Sequence, residues 1–169
     1  MRAGLVALGL DPGLATTGYG VVRAGPRGWE VLAGGVIETK KGVPRSTRLK
    51  EIHDEALDLV RSFRPDRVGI EEVYLATNAR TAMLTAETRG ALLVALEGLP
   101  IRGYTPLQVK KRITGYGKAG KAQVAATVKQ LLSLREAPRP DDVADGLALA
   151  LCALLDAQGV PRGASGHDL

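Results

Sequence analysis

The apolar run near the start of the chain has the sequence LVALGL over residues 5–10 and ends at Asp11-Pro12-Gly13. A short apolar run that stops at an Asp-Pro-Gly turn signal predicts a buried β-strand. Two further runs, over residues 17–24 and 29–37, are rich in β-branched and aromatic residues. These three consecutive strands predict an antiparallel meander, and Gly34-Gly35 inside the third predicts a bulge or a close backbone approach.

The rest of the chain alternates between strand and helix patterns. Short apolar runs predict strands at residues 68–70 and 101–104. Ser46 or Thr47 is the predicted cap of the first helix, and Thr105-Pro106 predicts the start of a short one. Further helices are predicted at residues 81–97 and 122–134, and from Asp141 or Asp142 to residue 158. A meander followed by alternating helices and strands predicts an α/β fold with one mixed five-stranded sheet. In this sheet parallel strands follow the meander, and helices flank the sheet.

The length and composition indicate one ordinary globular domain. The chain has 169 residues, of which 23 are Lys or Arg and 18 are Asp or Glu, and the resulting charge of +5 favours a polyanionic partner. We expect one domain over residues 1–158 and a disordered tail over residues 159–169, which lacks a periodic pattern. No apolar run approaches the ~20 residues of a membrane span, so we expect a soluble, cytoplasmic protein with no membrane partner.

Basic residues are concentrated in two segments. From residue 101 to residue 140 there are nine Lys or Arg and a single acid, Glu136. Five more basic residues precede or begin the first helix: Lys40, Lys41, Arg45, Arg48 and Lys50. Such segments either form solvated surfaces or contact phosphates. The single cysteine, Cys152, lies in an apolar run and is expected to be a small buried hydrophobe.

Four carboxylates occupy positions that bring them to one edge of the predicted sheet. Asp11 and Glu71 each follow an apolar strand, and Asp142 and Asp145 share one face of a helix start. Each alone has an ordinary structural explanation as a turn former, strand end or helix cap. Together they would repel one another unless cations held them, and oxygen ligands without His or Cys select Mg²⁺ or Mn²⁺. Two such ions about 4 Å apart activate water for phosphodiester hydrolysis, so acids beside a basic surface indicate a nuclease.

Two nucleotide-binding motifs are weaker alternatives. Residues 115–121 have the spacing G-x-x-x-x-G-K of a phosphate-binding P-loop, but Ala122 stands where that loop needs Ser or Thr, and no strand is predicted before it. A flexible basic loop that contacts backbone phosphates explains this segment better. Asp11-Pro12-Gly13 with Gly18 also resembles the first phosphate motif of actin-like and sugar-kinase ATPases, which need a second lobe.

Three motifs in order resemble the RuvC family of bacterial crossover junction endodeoxyribonucleases, the Holliday junction resolvases. They are LGLDPG at residues 8–13 with TGYGV at 17–21, IEEVY at 70–74, and DVADGLA at 142–148. The resemblance implies a ribonuclease H-like fold and a homodimer that makes paired symmetric nicks across four-way DNA junctions in recombination and repair, leaving 5′-phosphate and 3′-hydroxyl ends. It also implies a divalent cation, Mg²⁺ or Mn²⁺ and two per site, and a branch-migration complex of RuvA and RuvB as partner.

The resemblance also implies roles for individual residues. It places Asp11, Glu71, Asp142 and Asp145 in the catalytic metal-binding set, with Asp11 as the bridging ligand, although Asp141 shares a face with Asp145 and is an alternative to Asp142. It implies that the ring of Tyr74 stacks on an unpaired base, and that Lys110 and Lys121 contact phosphate. Lys118 lies in the same loop as Lys121, without a motif match. A ribonuclease H-like enzyme acting on RNA and a catalytically silent nucleic-acid-binding module remain the alternative functions.

Overall fold

The structure is a computed structural model that describes residues 4–73 and 78–157. In this part of the chain five strands form one mixed sheet in the order β3-β2-β1-β4-β5. The strands are β1 (Val6–Asp11), β2 (Thr16–Gly25), β3 (Gly28–Glu38), β4 (Arg67–Glu71) and β5 (Ile101–Tyr104). The helices are α1 (Arg45–Phe63), α2 (Ala79–Ala95), α3 (Pro106–Thr114), α4 (Lys121–Leu131) and α5 (Asp141–Ala157).

The pairing of the strands confirms the predicted topology. Strands β1, β2 and β3 are antiparallel neighbours, whereas β4 pairs in parallel with β1 and β5 pairs in parallel with β4. The meander is therefore followed by parallel strands in one mixed sheet, as the sequence predicts. The expected tail over residues 159–169 lies outside the described residues.

Helices cover both faces of the sheet, and alternation along each strand assigns its side chains to one face or the other. Ala7 packs in the cluster formed by α3, α4 and α5, whereas its neighbour Leu8 packs with α1 and α2. Val22 and Val21 divide between the two clusters in the same way. Successive residues of a strand point to opposite faces. Asp11 is four residues beyond Ala7 and therefore lies on the same face, which α5 covers.

Helix α5 lies directly on the backbone of the sheet. Four glycines are paired with one another across neighbouring strands: Gly34 of β3, Gly20 of β2, Gly9 of β1 and Gly69 of β4. A Cβ atom at Gly20 would lie 2.6 Å from the Cα atom of Leu147, and one at Gly9 would meet the carbonyl oxygen of Gly146. Any side chain at these positions would hold the helix away from the sheet.

The expectation for Gly34-Gly35 is confirmed as a close approach. A Cβ atom at Gly34 would lie 3.1 Å from Cγ1 of Val143 in α5. The bulge is elsewhere: the register of β2 and β3 shifts between Val21 and Val22, opposite Leu32.

The helix starts agree with the sequence at α3 and differ at α1 and α2. Thr105 caps α3 in a capping box with Gln108, and Pro106 is the first helical residue, as predicted. Helix α1 begins at Arg45 after Pro44 and has no side-chain cap, so the predicted caps Ser46 and Thr47 lie inside the helix. Pro44 itself occupies the cap position, with φ of −52° and an extended ψ of 139°, so the helix begins one residue before Ser46. Asn78 caps α2, which begins at Ala79, two residues before the predicted start at residue 81. Within the described residues, no helix has the length and apolar character needed to cross a membrane.

Candidate active site

Two of the four predicted carboxylates come from adjacent parallel strands. Asp11 is the last residue of β1 and Glu71 is the last residue of β4, and the preceding residues Leu10 and Ile70 are paired. Glu71 shares its face of the sheet with Gly69, which lies against α5. The strands therefore deliver both carboxylates to the same edge and to the same face of the sheet.

The other two carboxylates come from the first turns of α5. Gly18, which pairs with Asp11 in the sheet, lies so close to α5 that its Cβ atom would be 2.7 Å from the carbonyl carbon of Asp142. On the helix side, a Cβ atom at Gly146 would lie 2.5 Å from the carbonyl carbon of Tyr19. These contacts hold the start of α5 over the end of β1, so Asp142 and Asp145 approach Asp11.

The pKa of Asp11 reflects the approach of the other acids. Burial raises the pKa of Asp11 to about 8, assisted by a hydrogen bond with Glu71 and by the negative charges of Glu71 and Asp142; Lys121 opposes the shift. Two ionised carboxylates cannot hydrogen-bond to each other. In the absence of cations Asp11 therefore favours its protonated form at neutral pH.

Asp145 responds to the same surroundings. Burial raises the pKa of Asp145 to about 6, and the charge of Asp11 adds to the shift, whereas Lys121 lowers it. The Nζ atom of Lys121 lies 3.8 Å from Oδ2 of Asp145. A lysine ammonium thus supplies part of the positive charge that this cluster of acids requires.

The structure distinguishes the candidate acids from their sequence neighbours. Asp141 is exposed, whereas Asp142 is half-buried and contributes to the pKa shift of Asp11. Glu72 is directed away from Glu71, because its side chain lies over Gly103 of β5. These positions favour Asp142 over Asp141 and Glu71 over Glu72 as members of the cluster.

The carboxylates open into a cleft of about 300 Å³ between the sheet edge, α3, α4 and α5. Its lining consists of acids, lysines and an apolar wall: Asp11, Glu71, Asp145, Lys110, Lys121, Pro106, Val109, Val124 and Leu149. The sequence motifs predict the acids and the lysines of this cleft but not its apolar wall. The sequence signal for the wall is the amphipathic spacing of α3 and α4.

The donor set suits a hard divalent cation. Only carboxylate oxygens face the cleft as anionic ligands, and such ligands suit Mg²⁺ or Mn²⁺. In residues 4–73 and 78–157, no three Asp, Glu, His or Cys side chains are already gathered as a ligand group.

The basic segment over residues 101–140 does not lie wholly on the surface. Arg102 Nη1 lies 2.7 Å from Oδ2 of Asp156, and Arg112 also pairs with Asp156. The Tyr104 hydroxyl donates a hydrogen bond of 2.6 Å to the same carboxylate. Two of the nine basic residues therefore neutralise a buried acid between β5, α3 and α5 and are withdrawn from the predicted basic surface.

Cys152 is buried as expected.

The residues predicted to contact DNA are two lysines in the cleft, one lysine outside it and Tyr74. Lys110 and Lys121 line the cleft. Lys118 is exposed in the loop between α3 and α4, outside the cleft lining. That loop follows a helix, and Gly115, with φ of 77°, ends this helix in the left-handed conformation, so a P-loop does not form. Tyr74 lies outside the described residues.

The comparisons with known proteins agree on one family. The sequence matches the family described as “Crossover junction endodeoxyribonuclease RuvC” over residues 7–153. The crossover junction endodeoxyribonuclease RuvC of Pelotomaculum thermopropionicum is 43% identical over 150 residues, which cover 88% of this chain and 92% of that protein. The Thermus thermophilus RuvC structure has a TM-score of 0.85 at 36% identity and covers 91% of this chain and 96% of that chain. The structure of T. thermophilus RuvC in complex with Holliday junction substrate has a TM-score of 0.86 at 38% identity, over 91% of this chain and 95% of that chain.

Proposed function

The chain belongs to the RuvC family of crossover junction endodeoxyribonucleases, and we propose that its carboxylate cleft cleaves four-way DNA junctions by cation-assisted hydrolysis. The observation that carries the proposal is that Asp11, Glu71 and Asp145 line one cleft beside two lysines, with Asp142 near enough to raise the pKa of Asp11. Acids that repel one another bind cations, and the lysines bind the phosphates that accompany them.

Asp11, Glu71, Asp142 and Asp145 are the residues that would hold the cations, and Mg²⁺ or Mn²⁺ is the expected metal. Two bound ions would supply an activated water and charge stabilisation of the leaving oxygen, giving 5′-phosphate and 3′-hydroxyl ends. Asp11 is the best candidate for a shared ligand, because Glu71 and Asp142 both raise its pKa from different elements. Asp142 takes precedence over the exposed Asp141 for the same reason.

Lys110 and Lys121 bind the scissile strand in this proposal. Both line the cleft, on α3 and at the start of α4, and Lys121 lies 3.8 Å from Asp145. A lysine held next to a carboxylate is placed to accept the phosphate that the metal site attracts. Lys118, exposed in the preceding loop, contacts the phosphate backbone farther from the cut.

Tyr74 completes the proposed DNA interface. It follows Glu71 closely in the sequence, and it occupies the aromatic position of the IEEVY motif. A single aromatic ring at this motif position suits stacking on a base that the junction leaves unpaired.

The proposed active form is a homodimer. Two symmetric cuts on a two-fold symmetric junction need two equivalent sites. Helix α2 buries Ala82, Leu92 and Ala95 in the core, but it exposes Met83 (66%) and Val94 (68%) on its other side. Exposed apolar side chains on the outer side of a helix suit contact with a second copy of the same helix. Family membership also supports a role beside the RuvA and RuvB branch-migration proteins.

A comparison of substrates tests the proposal. Purified protein is given a four-way DNA junction, a linear duplex of the same sequence and an RNA–DNA hybrid, each with Mg²⁺ or Mn²⁺, and the cut positions are mapped on every strand. The proposal requires paired cuts at symmetric positions that occur only on the junction. Cleavage of the hybrid alone would make the protein a ribonuclease, and binding to the junction without cleavage in either metal would make it a binding module.

A further inference from the structure

The turn that follows Asp11 is held by a residue that the cleft does not contain. Arg48, in the first turn of α1, donates from Nε to the Thr39 hydroxyl at 2.7 Å and from Nη2 to the Leu14 carbonyl at 3.2 Å. The Thr39 hydroxyl donates to the same Leu14 carbonyl at 2.5 Å. Three groups from α1, from the end of β3 and from the turn therefore share one hydrogen-bond node.

The same turn is also held from its inner side. The Thr17 hydroxyl donates to the Gly13 carbonyl at 2.9 Å and accepts from the Gly13 amide at 3.3 Å. Thr17 is fully buried, and Thr39 is only 9% exposed. The Thr39 amide adds a bond of 3.1 Å to the Ala15 carbonyl. Gly13, Leu14 and Ala15 are thus fixed on both sides by partly buried hydrogen bonds, which are costly to leave unmade.

Helix α1 does not need this node in order to dock. Ile52 and Ala56 are fully buried against the sheet, and Arg45 forms a separate ion pair with Glu87 of α2. The partners of Arg48 in the node are a hydroxyl and a carbonyl rather than a carboxylate. A planar guanidinium can address two such acceptors at once, which a lysine ammonium does less well.

We propose that Arg48, through Thr39 and the Leu14 carbonyl, is a positioning residue that fixes where Asp11 enters the cleft. This inference rests on the proposed catalytic role of Asp11. The sequence groups Arg48 with a basic surface that could bind phosphate, but its guanidinium is directed inward to the turn. A displacement of about 1 Å at a reacting group can lower a rate by up to about a hundredfold, so loss of the node should slow cleavage without weakening DNA binding.

The experiment measures single-turnover cleavage of a saturating four-way junction over a Mg²⁺ titration, together with junction binding in EDTA. Arg48→Met keeps an aliphatic stem but removes both donated bonds, and Thr39→Val removes the hydroxyl with little change of shape. We expect each to lower the maximal rate about tenfold and to raise the half-saturating Mg²⁺ concentration. Junction affinity in EDTA should stay within about twofold, because phosphate contacts dominate that affinity.

Three comparisons separate positioning from a general structural role. Thr39→Ser should restore most of the rate, because the hydroxyl returns. The double variant Arg48→Met, Thr39→Val should lose little more than either single variant, because both remove one node. Arg61→Met changes an exposed arginine of α1, which pairs with Asp58, and should leave rate and Mg²⁺ dependence unchanged.

The possible failures are distinguishable. If the unmodified protein does not cut junctions, the proposed function fails before the variants are considered. If it cuts and Arg48→Met matches it in rate and Mg²⁺ dependence, the positioning role is wrong. A lower junction affinity and smaller salt dependence with an unchanged maximal rate would assign Arg48 to DNA binding and would also overturn the inference.

Discussion

Gly18 and Asp142 are in such close contact that a Cβ atom on Gly18 would lie 2.9 Å from the Cβ atom of Asp142. Gly18 is also the residue paired with Asp11 in the sheet. One glycine therefore sets the spacing between an acid of β1 and an acid of α5. The proposed metal site depends on this spacing, because its ligands come from elements that are far apart in the sequence.

The variant Gly18→Ala tests this dependence. An added methyl group must push the start of α5 away from β1, and overpacking of this kind costs about 1–3 kcal/mol of folding free energy. We expect a lower urea midpoint and loss of junction cleavage. Gly120→Ala, at the N-cap of α4 with no atom within 4 Å of the added Cβ, is the control without a clash, and it should cost about 0.5–1 kcal/mol because Ala caps a helix less well than Gly. Unchanged cleavage in a folded Gly18→Ala protein would show that the spacing is not critical.

The pH dependence of stability follows from the raised carboxylate pKa values. The pKa is about 8 for Asp11 and about 6 for Asp145 in the folded protein, against an ordinary aspartate pKa of 3.8. At a pH above the ordinary aspartate pKa but below these raised values, the folded protein keeps protons that the unfolded chain has released. Folding stability therefore decreases as pH rises through this range. We expect the Tm of the protein in EDTA to decrease between about pH 5 and pH 8.

The variant Asp11→Asn is the control for this pH effect. It removes the group with the largest shift, so its Tm in EDTA should decrease less over the same pH range. Addition of Mg²⁺ at pH 8 should raise the Tm of the unmodified protein and have a smaller effect on the variant, because a ligand that binds only the folded state stabilises it. Parallel Tm curves for the two proteins would contradict the assigned role of Asp11 in the acidic cluster.

Lys121 is expected to bind phosphate. The variant Lys121→Ala should weaken junction binding and reduce the slope of log affinity against log salt concentration by about one unit. Fluorescence anisotropy over a salt series in EDTA measures this slope. Lys129→Ala, in the last turn of the same helix, is the control that should leave the slope unchanged. An equal effect of both changes would assign binding to the general charge of α4.

The exposed side of α2 is expected to form the dimer interface. A pair of changes, Met83→Glu and Val94→Glu, places charges on the two most exposed apolar side chains of this helix and should produce a monomer. Sedimentation equilibrium measures the mass, and mapping of cuts shows whether both strands of one junction are still nicked together. Leu131→Glu, on a partly exposed residue of α4, should leave the mass unchanged. A dimer that survives the α2 changes would place the interface elsewhere.

The sequence predicts the sheet and the convergence of the acids because both depend on local patterns. Asp11 and Glu71 each follow an apolar strand, which is enough to place them at one edge of the sheet, and the i, i+3 spacing places Asp142 beside Asp145. The three motifs identify the family, which the comparisons confirm. The assignment of each acid to a metal remains a prediction.

The sequence does not predict contacts that join distant segments. Asp156 binds Tyr104 across 52 residues of sequence, and no local pattern shows that Arg102 and Arg112 leave the surface to pair with it. Arg48 belongs to a run of basic residues, yet it is directed inward because the turn after Asp11 presents a carbonyl that needs a donor. The paired glycines Gly20 and Gly9 belong to different strands, so their common role in receiving α5 becomes visible only once the register is known.

Asp11→Asn provides the most direct test of the claim that the carboxylate cleft performs the cleavage. The measurement is the single-turnover rate of four-way junction cleavage in saturating Mg²⁺ or Mn²⁺, with junction affinity determined in parallel in EDTA. The amide keeps the shape of the side chain but cannot act as an anionic ligand. We predict that cleavage is abolished while junction affinity remains close to that of the unmodified protein, because basic residues provide the phosphate contacts. Cleavage by Asp11→Asn at the rate of the unmodified protein would contradict the account.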